Sequence, residues 1–358
     1  MDDALYERSI GLIIHVQDLL GTTHGIPFIV QAICVFGTPS ALLRLLAPAS
    51  FLLDNWIPVK AAVSVAFTDL IGLILSNVFR GTRPYWWVHQ KFGKEHSQLA
   101  QFPIICEPTF GNPSRHLMIQ TGVGMIMALE IRRFLRRQNS KWSMLLNKLN
   151  WAFYFCFTLS SCIARLYLGS NFIHQLVIGA IGGSTLGWII YHLPWHLTRA
   201  KHYLMAWLFF ISWYYCTLGA LKLFERDYRY AEKMAHEACA DPAWLQTNSN
   251  QWFILSQNLA VVLALACCSS IQHYRNNEWS AVKKMTCVLS TFALIQILST
   301  INLFSRVTWQ SVFIETFISV MAIYCIVPWI LGKFVFRLQK IAAEDWDTAL
   351  RKLSSSLK

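Results

Sequence analysis

Long runs of apolar residues alternate with shorter polar segments along most of the chain. Each run is too long and continuous to be a barrel strand, and a helix satisfies its own backbone hydrogen bonds in lipid. A spanning helix needs about 20 apolar residues. The pattern predicts about nine membrane-spanning helices, at Ile26–Leu46, Ile57–Phe79, Ser114–Met127, Trp151–Leu168, Phe172–Leu193, Tyr203–Leu221, Trp252–Ser269, Met285–Phe304 and Ser311–Phe336. Before them, Ile10–Leu20 is predicted to form an interfacial amphipathic helix.

The composition agrees with this pattern. The 358-residue chain is 55% hydrophobic and only 14% charged, whereas a soluble domain carries about 25% charged residues. This excludes a disordered chain, a coiled coil and a collagen-like fibre, and it argues strongly against a water-soluble enzyme. We therefore expect an all-α fold, a polytopic membrane helix bundle that forms a single membrane-embedded domain over residues 1–358.

The basic residues orient the predicted bundle. Of the 31 Lys and Arg residues, 17 fall in the loops after the third, fifth and seventh predicted helices and in the C-terminal tail. By the positive-inside rule this face is cytoplasmic, so the C-terminus is cytoplasmic and the N-terminus is lumenal or extracellular. Orientation thus accounts for most of the formal charge of +12, and we expect no nucleic-acid partner.

Some basic residues lie on the opposite, lumenal face, where this rule expects few. Arg83 follows the second predicted helix, Ser114 and His116 open the third, and Arg165 lies near the end of the fourth. Helix parity places all four on the same face. Because the guanidinium group binds phosphate oxygens through paired N–H groups, this set predicts an anion site.

Each of these residues also has an ordinary structural interpretation. Arg80 and Arg83 have the alternative of snorkelling, in which the charged group at a helix end extends to the membrane surface. Ser114 follows a proline and is suited to cap the third helix. His116 has the alternative of an interior, hydrogen-bonded histidine.

Arg165 has two further interpretations. One is an ion pair with a lone acid in an apolar span, either Asp69 or Glu130. The other is a transport path that Arg165 lines together with Arg44, although the sequence shows no paired half-helices of the transporter kind.

Three segments around these residues resemble the glucose-6-phosphatases, members of the type 2 phosphatidic acid phosphatase superfamily. The superfamily pattern is Lys, six residues, Arg-Pro; then Pro-Ser-Gly-His; then Ser-Arg, five residues, His. The corresponding segments are Ser76–Pro84, which continues into Y-W-W-V, Asn112–His116 and Ala164–Gln175. The second is preceded by Q-F-P-I-I-C-E at Gln101–Glu107. The resemblance spans the chain, and its motif region is about residues 76–180.

The resemblance implies a reaction, a location and residue roles. Glucose-6-phosphatases hydrolyse glucose 6-phosphate at the lumenal face of the endoplasmic reticulum, in gluconeogenesis, through a phosphohistidine. On the matching positions, His116 is the general acid, and Arg83, Ser114 and Arg165 bind phosphate. The implied ligands are a sugar phosphate or inorganic phosphate, with membrane lipids around the helices and no cofactor. The histidines are scattered and no CxxC occurs, so no metal site is predicted.

The chain departs from the pattern at positions that carry the chemistry. Ser76 stands at the Lys position, Arg115 at the Gly position and Ala164 at the Ser position. Asn171 stands at the position of the nucleophilic His. Because an amide cannot form a phosphohistidine, we expect hydrolysis to be impaired. The alternative is a non-catalytic relative that binds or regulates.

Two neighbouring residues are candidate replacements. Arg80 lies one helical turn from Ser76, on the same predicted face, and is a further candidate to bind phosphate. His174 lies three residues beyond Asn171. The resemblance implies a structural or supporting role for His174, because the family carries a second histidine there.

The cysteines give one more expectation. Of the ten, Cys106 and Cys239 alone lie in hydrophilic loops, both on the predicted lumenal face. Since that compartment permits disulfides, the sequence predicts a Cys106–Cys239 disulfide, with two unrelated thiols as the alternative.

Overall fold

The computed structural model describes residues 3–21, 25–54, 56–93, 99–138, 141–195, 198–246, 249–269, 281–301 and 308–330. All regular elements within these ranges are helical. They are α1 (Asp3–Leu20), α2 (Ile26–Phe36), α3 (Pro39–Leu52), α4 (Ile57–Phe79), α5 (Pro84–Phe92), α6 (Arg115–Gln138), α7 (Ser143–Tyr167), α8 (Ile173–His192), α9 (Ala200–Leu223), α10 (Tyr230–Ala238), α11 (Gln251–Ser269), α12 (Ala281–Ile301) and α13 (Trp309–Ile330).

Five of the described helical segments are long and apolar enough to cross a membrane, and a sixth is added if the bent pair α2–α3 counts as one span. The five are α4 continued into α5, α8, α9, α11 and α13. Helices α6 and α7 are long, at 24 and 25 residues, but more polar. The chain is therefore a multi-pass membrane protein. The total of nine spans and the orientation of the termini stay predictions, since the basic C-terminal tail lies outside the described residues.

Helices α4, α6 and α11 form the centre of the bundle. Helix α4 packs against α6, α11, α8 and α9, and α11 packs against α13 and α9. The apolar windows of α4 and α11 are mostly buried, whereas those of α8, α9 and α13 are mostly exposed on the outside of the bundle. Helices that are apolar all round, such as α4, are those that other helices surround.

Helices α6 and α8 approach closely because α8 has a stripe of glycines on the facing side. The stripe consists of Gly179, Gly183 and Gly187. A Cβ atom at Gly183 would lie 2.0 Å from the carbonyl oxygen of Met118, and one at Gly187 would lie 2.2 Å from that of Gly122. Small residues at four-residue spacing allow such backbone contact in membranes. The two helices run parallel, and their first turns meet at one end of the bundle, which we call the site end.

Replacing Gly183 with alanine is expected to destabilise the protein by about 1–3 kcal/mol, because the added methyl group collides with a backbone carbonyl. Thermal unfolding of the detergent-solubilised protein measures the effect. The matched control is Gly219→Ala in α9, where a Cβ atom meets nothing within 4 Å. That substitution should be neutral or slightly stabilising. Equal loss in both variants would contradict the close packing of α6 and α8.

The segment 99–114, between α5 and α6, covers the site end. Cys106 in this segment forms a disulfide with Cys239 just after α10, and their Cα atoms are 6.0 Å apart. Two hydrogen bonds support the contact: the Gln246 amide donates to the Cys106 carbonyl oxygen (2.8 Å), and the Ala240 amide donates to Gln101 Oε1 (2.9 Å). The segment is therefore fastened to α10 immediately before Glu107.

Removing this bond in a Cys106→Ser/Cys239→Ser variant is expected to lower the free energy of unfolding by about 2–5 kcal/mol, since the bond closes a long loop. The two positions are 133 residues apart in sequence. Thermal unfolding with and without reductant measures the loss, and Cys156→Ser, at an exposed free cysteine, is the control. Labelling of both Cys106 and Cys239 without reductant would show that they are free thiols.

Candidate functional site

The buried carboxylate of Glu107 lies between Arg83, His116 and Arg165, the three basic residues singled out in the sequence. Arg83 Nη2 donates to Glu107 Oε2 at 2.9 Å. His116 Nδ1 and Arg165 Nη1 lie 3.6 and 3.5 Å from Glu107 Oε1. All four side chains are at most 14% exposed. The structure thus brings Arg83, His116 and Arg165 together around one negatively charged group.

Arg83 is held by backbone groups as well as by the carboxylate. It immediately precedes α5, its Nε donates to the Thr109 carbonyl oxygen (2.6 Å), and its Nη1 donates to that of Ser170 (3.2 Å). The side chain is only 3% exposed. The snorkelling interpretation of Arg83 is therefore wrong, because the guanidinium group is turned into the protein between segment 99–114 and the start of α8.

The surrounding cations determine the charge of Glu107. Burial alone would raise the pKa of this carboxyl group, but the neighbouring His116 ring and the charges of Arg83, Arg165 and Arg115 hold the pKa well below its usual range. The group is consequently ionised at neutral pH. The Glu107 carboxylate is therefore an anion of the protein itself, and it lies where the sequence predicts a site for a bound phosphate.

The side chain of Asn171 is fully hydrogen-bonded. Its Nδ2 donates to the Gly111 carbonyl oxygen (2.8 Å) and to Gln175 Oε1 (3.2 Å). Its Oδ1 accepts a hydrogen bond from Ser114 Oγ at 3.2 Å. The residue is buried, so the amide at the predicted nucleophile position joins segment 99–114 to the starts of α6 and α8.

Arg80 makes its contacts outside the Glu107 cluster, which consists of Glu107, Arg83, His116 and Arg165. It follows the last residue of α4 in a left-handed conformation, with φ of 50°. Its Nη2 donates to the Asp227 carbonyl oxygen (2.9 Å), and its guanidinium carbon lies 4.8 Å from the centre of the Phe110 ring. The hydroxyl group of Ser76 donates to the Leu73 carbonyl oxygen (2.8 Å). Arg80 and Ser76 therefore do not share a helix face. A shared face was the condition for Arg80 to replace the lysine that the superfamily pattern has at position 76.

His174 contacts aromatic rings rather than the Glu107 cluster. Its ring stacks on Phe172, with 5.9 Å between the ring centres, and lies 6.1 Å from Tyr6 in an edge contact. These contacts fit the supporting role expected for His174.

A polar cavity of about 210 Å³ lies beside His116. It contains two ion pairs: Arg115 Nε lies 3.5 Å from Asp69 Oδ1, and Arg44 Nη2 lies 3.0 Å from Glu315 Oε1. The other polar lining comes from hydroxyl and amide groups, those of Thr38, Ser40, Ser249, Gln257 and Thr316. Because the charged side chains are paired, the cavity suits an uncharged, hydroxylated group next to the anion position. In the part of the chain that the structure describes, no cluster of His, Cys, Asp or Glu is arranged to hold a metal ion.

Glu107 is the residue that sequence reasoning missed. The acids considered as partners of Arg165 were Asp69 and Glu130, but Asp69 contacts Arg115, and Glu130 pairs with Lys60. The available signal was the position of Glu107, directly after a predicted disulfide cysteine in the loop between Arg83 and His116.

Comparison with known proteins shows what this region of the chain is similar to. The sequence model of the PAP2 superfamily matches residues 58–199, a range that contains Arg83, Glu107, His116, Arg165 and Asn171. Three curated relatives cover most of the chain. Glucose-6-phosphatase 2 of Mus musculus is 27% identical over 74% of this chain and 76% of its own. Glucose-6-phosphatase 3 of Homo sapiens is 27% identical over 74% and 77%. Glucose-6-phosphatase catalytic subunit 1 of Haplochromis nubilus is 25% identical over 92% and 97%.

The PAP2-superfamily match thus covers the central part of the chain, and the chain is similar to the glucose-6-phosphatases over most of its length. No solved structure matches it. The Glu107 cluster lies within the region that matches the PAP2 superfamily, and the polar cavity lies beside it.

Proposed function

We propose that this protein binds a phosphate monoester at the site end, in the place now held by the Glu107 carboxylate, and that hydrolysis there is impaired. The observation that carries the proposal is the convergence of Arg83, His116 and Arg165 on one buried anion position. A phosphoryl group carries the same sign of charge, and phosphoryl transfer depends mainly on positioning and charge stabilisation. The proposed ligand is glucose 6-phosphate, bound at the lumenal face of the endoplasmic reticulum membrane.

Each residue has a defined part in this proposal. Arg83 and Arg165 bind the phosphoryl oxygens. Ser114 supports them from the start of α6, where its hydroxyl group donates to Asn171 and its amide group donates to the Gln175 carbonyl oxygen.

His116 presents its imidazole ring at the same anion position. A bound phosphoryl dianion favours the protonated imidazolium, which donates its Nε2 proton to the departing oxygen and becomes a neutral imidazole. The polar cavity beside His116 receives the hydroxylated leaving group.

Asn171 is the reason to expect impaired hydrolysis. The nitrogen of a carboxamide has no available lone pair, so it cannot attack phosphorus as an imidazole does. Without a covalent intermediate, one difficult step is no longer split into two easier ones.

A non-catalytic function is the second candidate, in which the protein binds a phosphate ester and regulates. Two observations favour it: both polar atoms of Asn171 are used in hydrogen bonds, and the Glu107 carboxylate already pairs with Arg83 and Arg165.

The test compares hydrolysis of glucose 6-phosphate in membranes that contain the wild type or Asn171→His, each with and without His174→Ala. We expect wild-type turnover at the level of empty membranes and a rise of about tenfold or more in Asn171→His, because the covalent route is restored. The His174→Ala change should leave both results unaltered. Robust wild-type turnover that His174→Ala abolishes would instead assign the nucleophile to His174.

A further inference from the structure

A second cavity, of about 490 Å³, lies at the far end of α6 from the Glu107 cluster. Its charged and aromatic lining consists of Arg132, Arg133, Arg136, Arg137, Tyr191 and His192. The arginines occupy the last two turns of α6 in pairs four residues apart, and residues so spaced share one side of a helix. His116 and Arg136 are separated by about 30 Å along the helix axis, so this cavity is independent of the proposed phosphate site.

The basic side chains of this cavity outnumber the acids around them. The described acid in contact with the arginines is Glu130, which lies 3.9 Å from Arg133 Nη1 and already pairs with the buried Lys60. The Nε atom of Arg132 is buried without a hydrogen-bond partner. The cavity therefore has a net positive charge and guanidinium donors available to an anion.

The start of α7 places this cavity beside an apolar surface. Helix α7 packs against α6, and the chain between Gln138 and Trp142 is only a few residues long. Trp142 is 67% exposed, Met144 71% and Leu149 55%. An exposed tryptophan followed by exposed aliphatic residues is typical of the membrane interface. A ligand held by the arginines thus has a surface for an apolar tail next to it.

We propose that this cavity binds the phosphorylated headgroup of an anionic membrane phospholipid, with the acyl chains along the start of α7. Basic pockets between membrane helices bind such headgroups. The orientation of a membrane protein requires only that basic residues lie somewhere on the cytoplasmic face. It does not explain why four arginines line one concave space with Tyr191 and His192, whereas a multiply charged headgroup does.

The experiment titrates the full-length, detergent-solubilised protein with phosphatidylinositol 4-phosphate, with phosphatidylcholine and with inorganic phosphate, and counts bound lipid by native mass spectrometry. The test variant is Arg136→Gln/Arg137→Gln, in which both side chains are exposed. The matched control is Arg199→Gln/Lys201→Gln, which removes the same charge at exposed positions outside the cavity and away from α7.

We expect the wild type to prefer the phosphoinositide to phosphatidylcholine, and the test variant to bind it about twentyfold more weakly. The control should bind as the wild type does. Arg137→Gln alone should weaken binding about fivefold, which keeps the test valid if the double variant folds poorly. Equal affinity for the two lipids, or equal loss in test and control variants, would overturn the proposal. Complete displacement of the phosphoinositide by millimolar inorganic phosphate would also overturn it, in favour of a soluble anion.

Discussion

Replacing Glu107 with glutamine is expected to tighten the binding of inorganic phosphate and orthovanadate by about tenfold or more. At neutral pH the carboxylate competes with a bound phosphate for Arg83 and Arg165, and the amide removes that competing charge. A unit charge at about 4 Å near a protein surface is worth up to about 4 kcal/mol, so a tenfold change is a conservative expectation. Isothermal titration of the purified protein measures the change.

The same substitution is also expected to change the melting temperature. Without Glu107 the buried guanidinium groups lack their counter-charge, so the melting temperature of Glu107→Gln should fall in buffer and recover with added phosphate by mass action. The control is Glu237→Gln, which removes an acid that is 46% exposed on α10. Weaker phosphate binding in Glu107→Gln would show that the carboxylate mainly holds Arg83 and His116 in position.

The pH dependence of this difference follows from the depressed pKa of Glu107. The stability that such a carboxylate contributes is present above its unfolded pKa of about 4.3 and is lost as the pH falls through the lower folded value. Between pH 5 and 8 the group stays charged. Titration of Glu107 should therefore contribute nothing to the pH dependence of the affinity ratio of Glu107→Gln to wild type over this range. The ratio should rise only as the phosphate ligand gains its second negative charge, because the wild-type carboxylate repels the dianion more strongly.

Substitution of Arg83 by alanine is expected to weaken phosphate and vanadate binding by about a hundredfold, and Arg165→Ala should have a similar effect. Each removes a buried cation that a phosphate ligand would contact, and loss of such a partner costs about 2–5 kcal/mol. Arg83→Lys keeps the charge but loses the paired donors, so its affinity should fall between wild type and Arg83→Ala. Isothermal titration again gives the affinities.

Arg80→Ala is the matched control for these two variants. Arg80 lies on the same end of the bundle but contacts Asp227 and Phe110, so its loss should change affinity by less than about threefold. A large loss in Arg80→Ala would return this arginine to the phosphate site. No loss in Arg83→Ala or Arg165→Ala would mean that the retained motif is structural only.

The helices that are apolar over their whole length could be predicted closely from the sequence. The predicted Ile57–Phe79 coincides with α4, and Phe172–Leu193 differs from α8 by one residue at each end. A long apolar run in lipid satisfies its backbone hydrogen bonds only as a helix, so the pattern alone predicts the helix. Helix α7 begins eight residues before the predicted Trp151, because its first turns mix polar and apolar residues and the apolar run gives no signal there.

The interior of the site was less predictable, because it depends on backbone turns and loop paths. Helix parity placed Arg83, His116 and Arg165 on one face, since parity needs only the order of the helices. Arg80 differs from its expected place because α4 ends at Phe79 and the four-residue helical spacing stops there. Glu107 reaches the arginines along a loop whose path is fixed by a disulfide and by distant residues, which no local pattern encodes.

In the proposed function, the site combines a retained anion position with a lost nucleophile, and the Glu107 carboxylate occupies the anion position. This combination distinguishes binding from turnover. The gain expected in Glu107→Gln concerns affinity alone, whereas the gain expected in Asn171→His concerns chemistry alone.

The most direct test is transfer of radiolabelled phosphate from glucose 6-phosphate to the purified protein, trapped by a rapid alkaline quench that preserves phosphohistidine. If the site binds a phosphate monoester but lacks its nucleophile, the wild type will carry no label above background, and Asn171→His will carry label on the introduced imidazole. A labelled wild-type protein, with the phosphate mapped to His174 or to another side chain, would contradict this account.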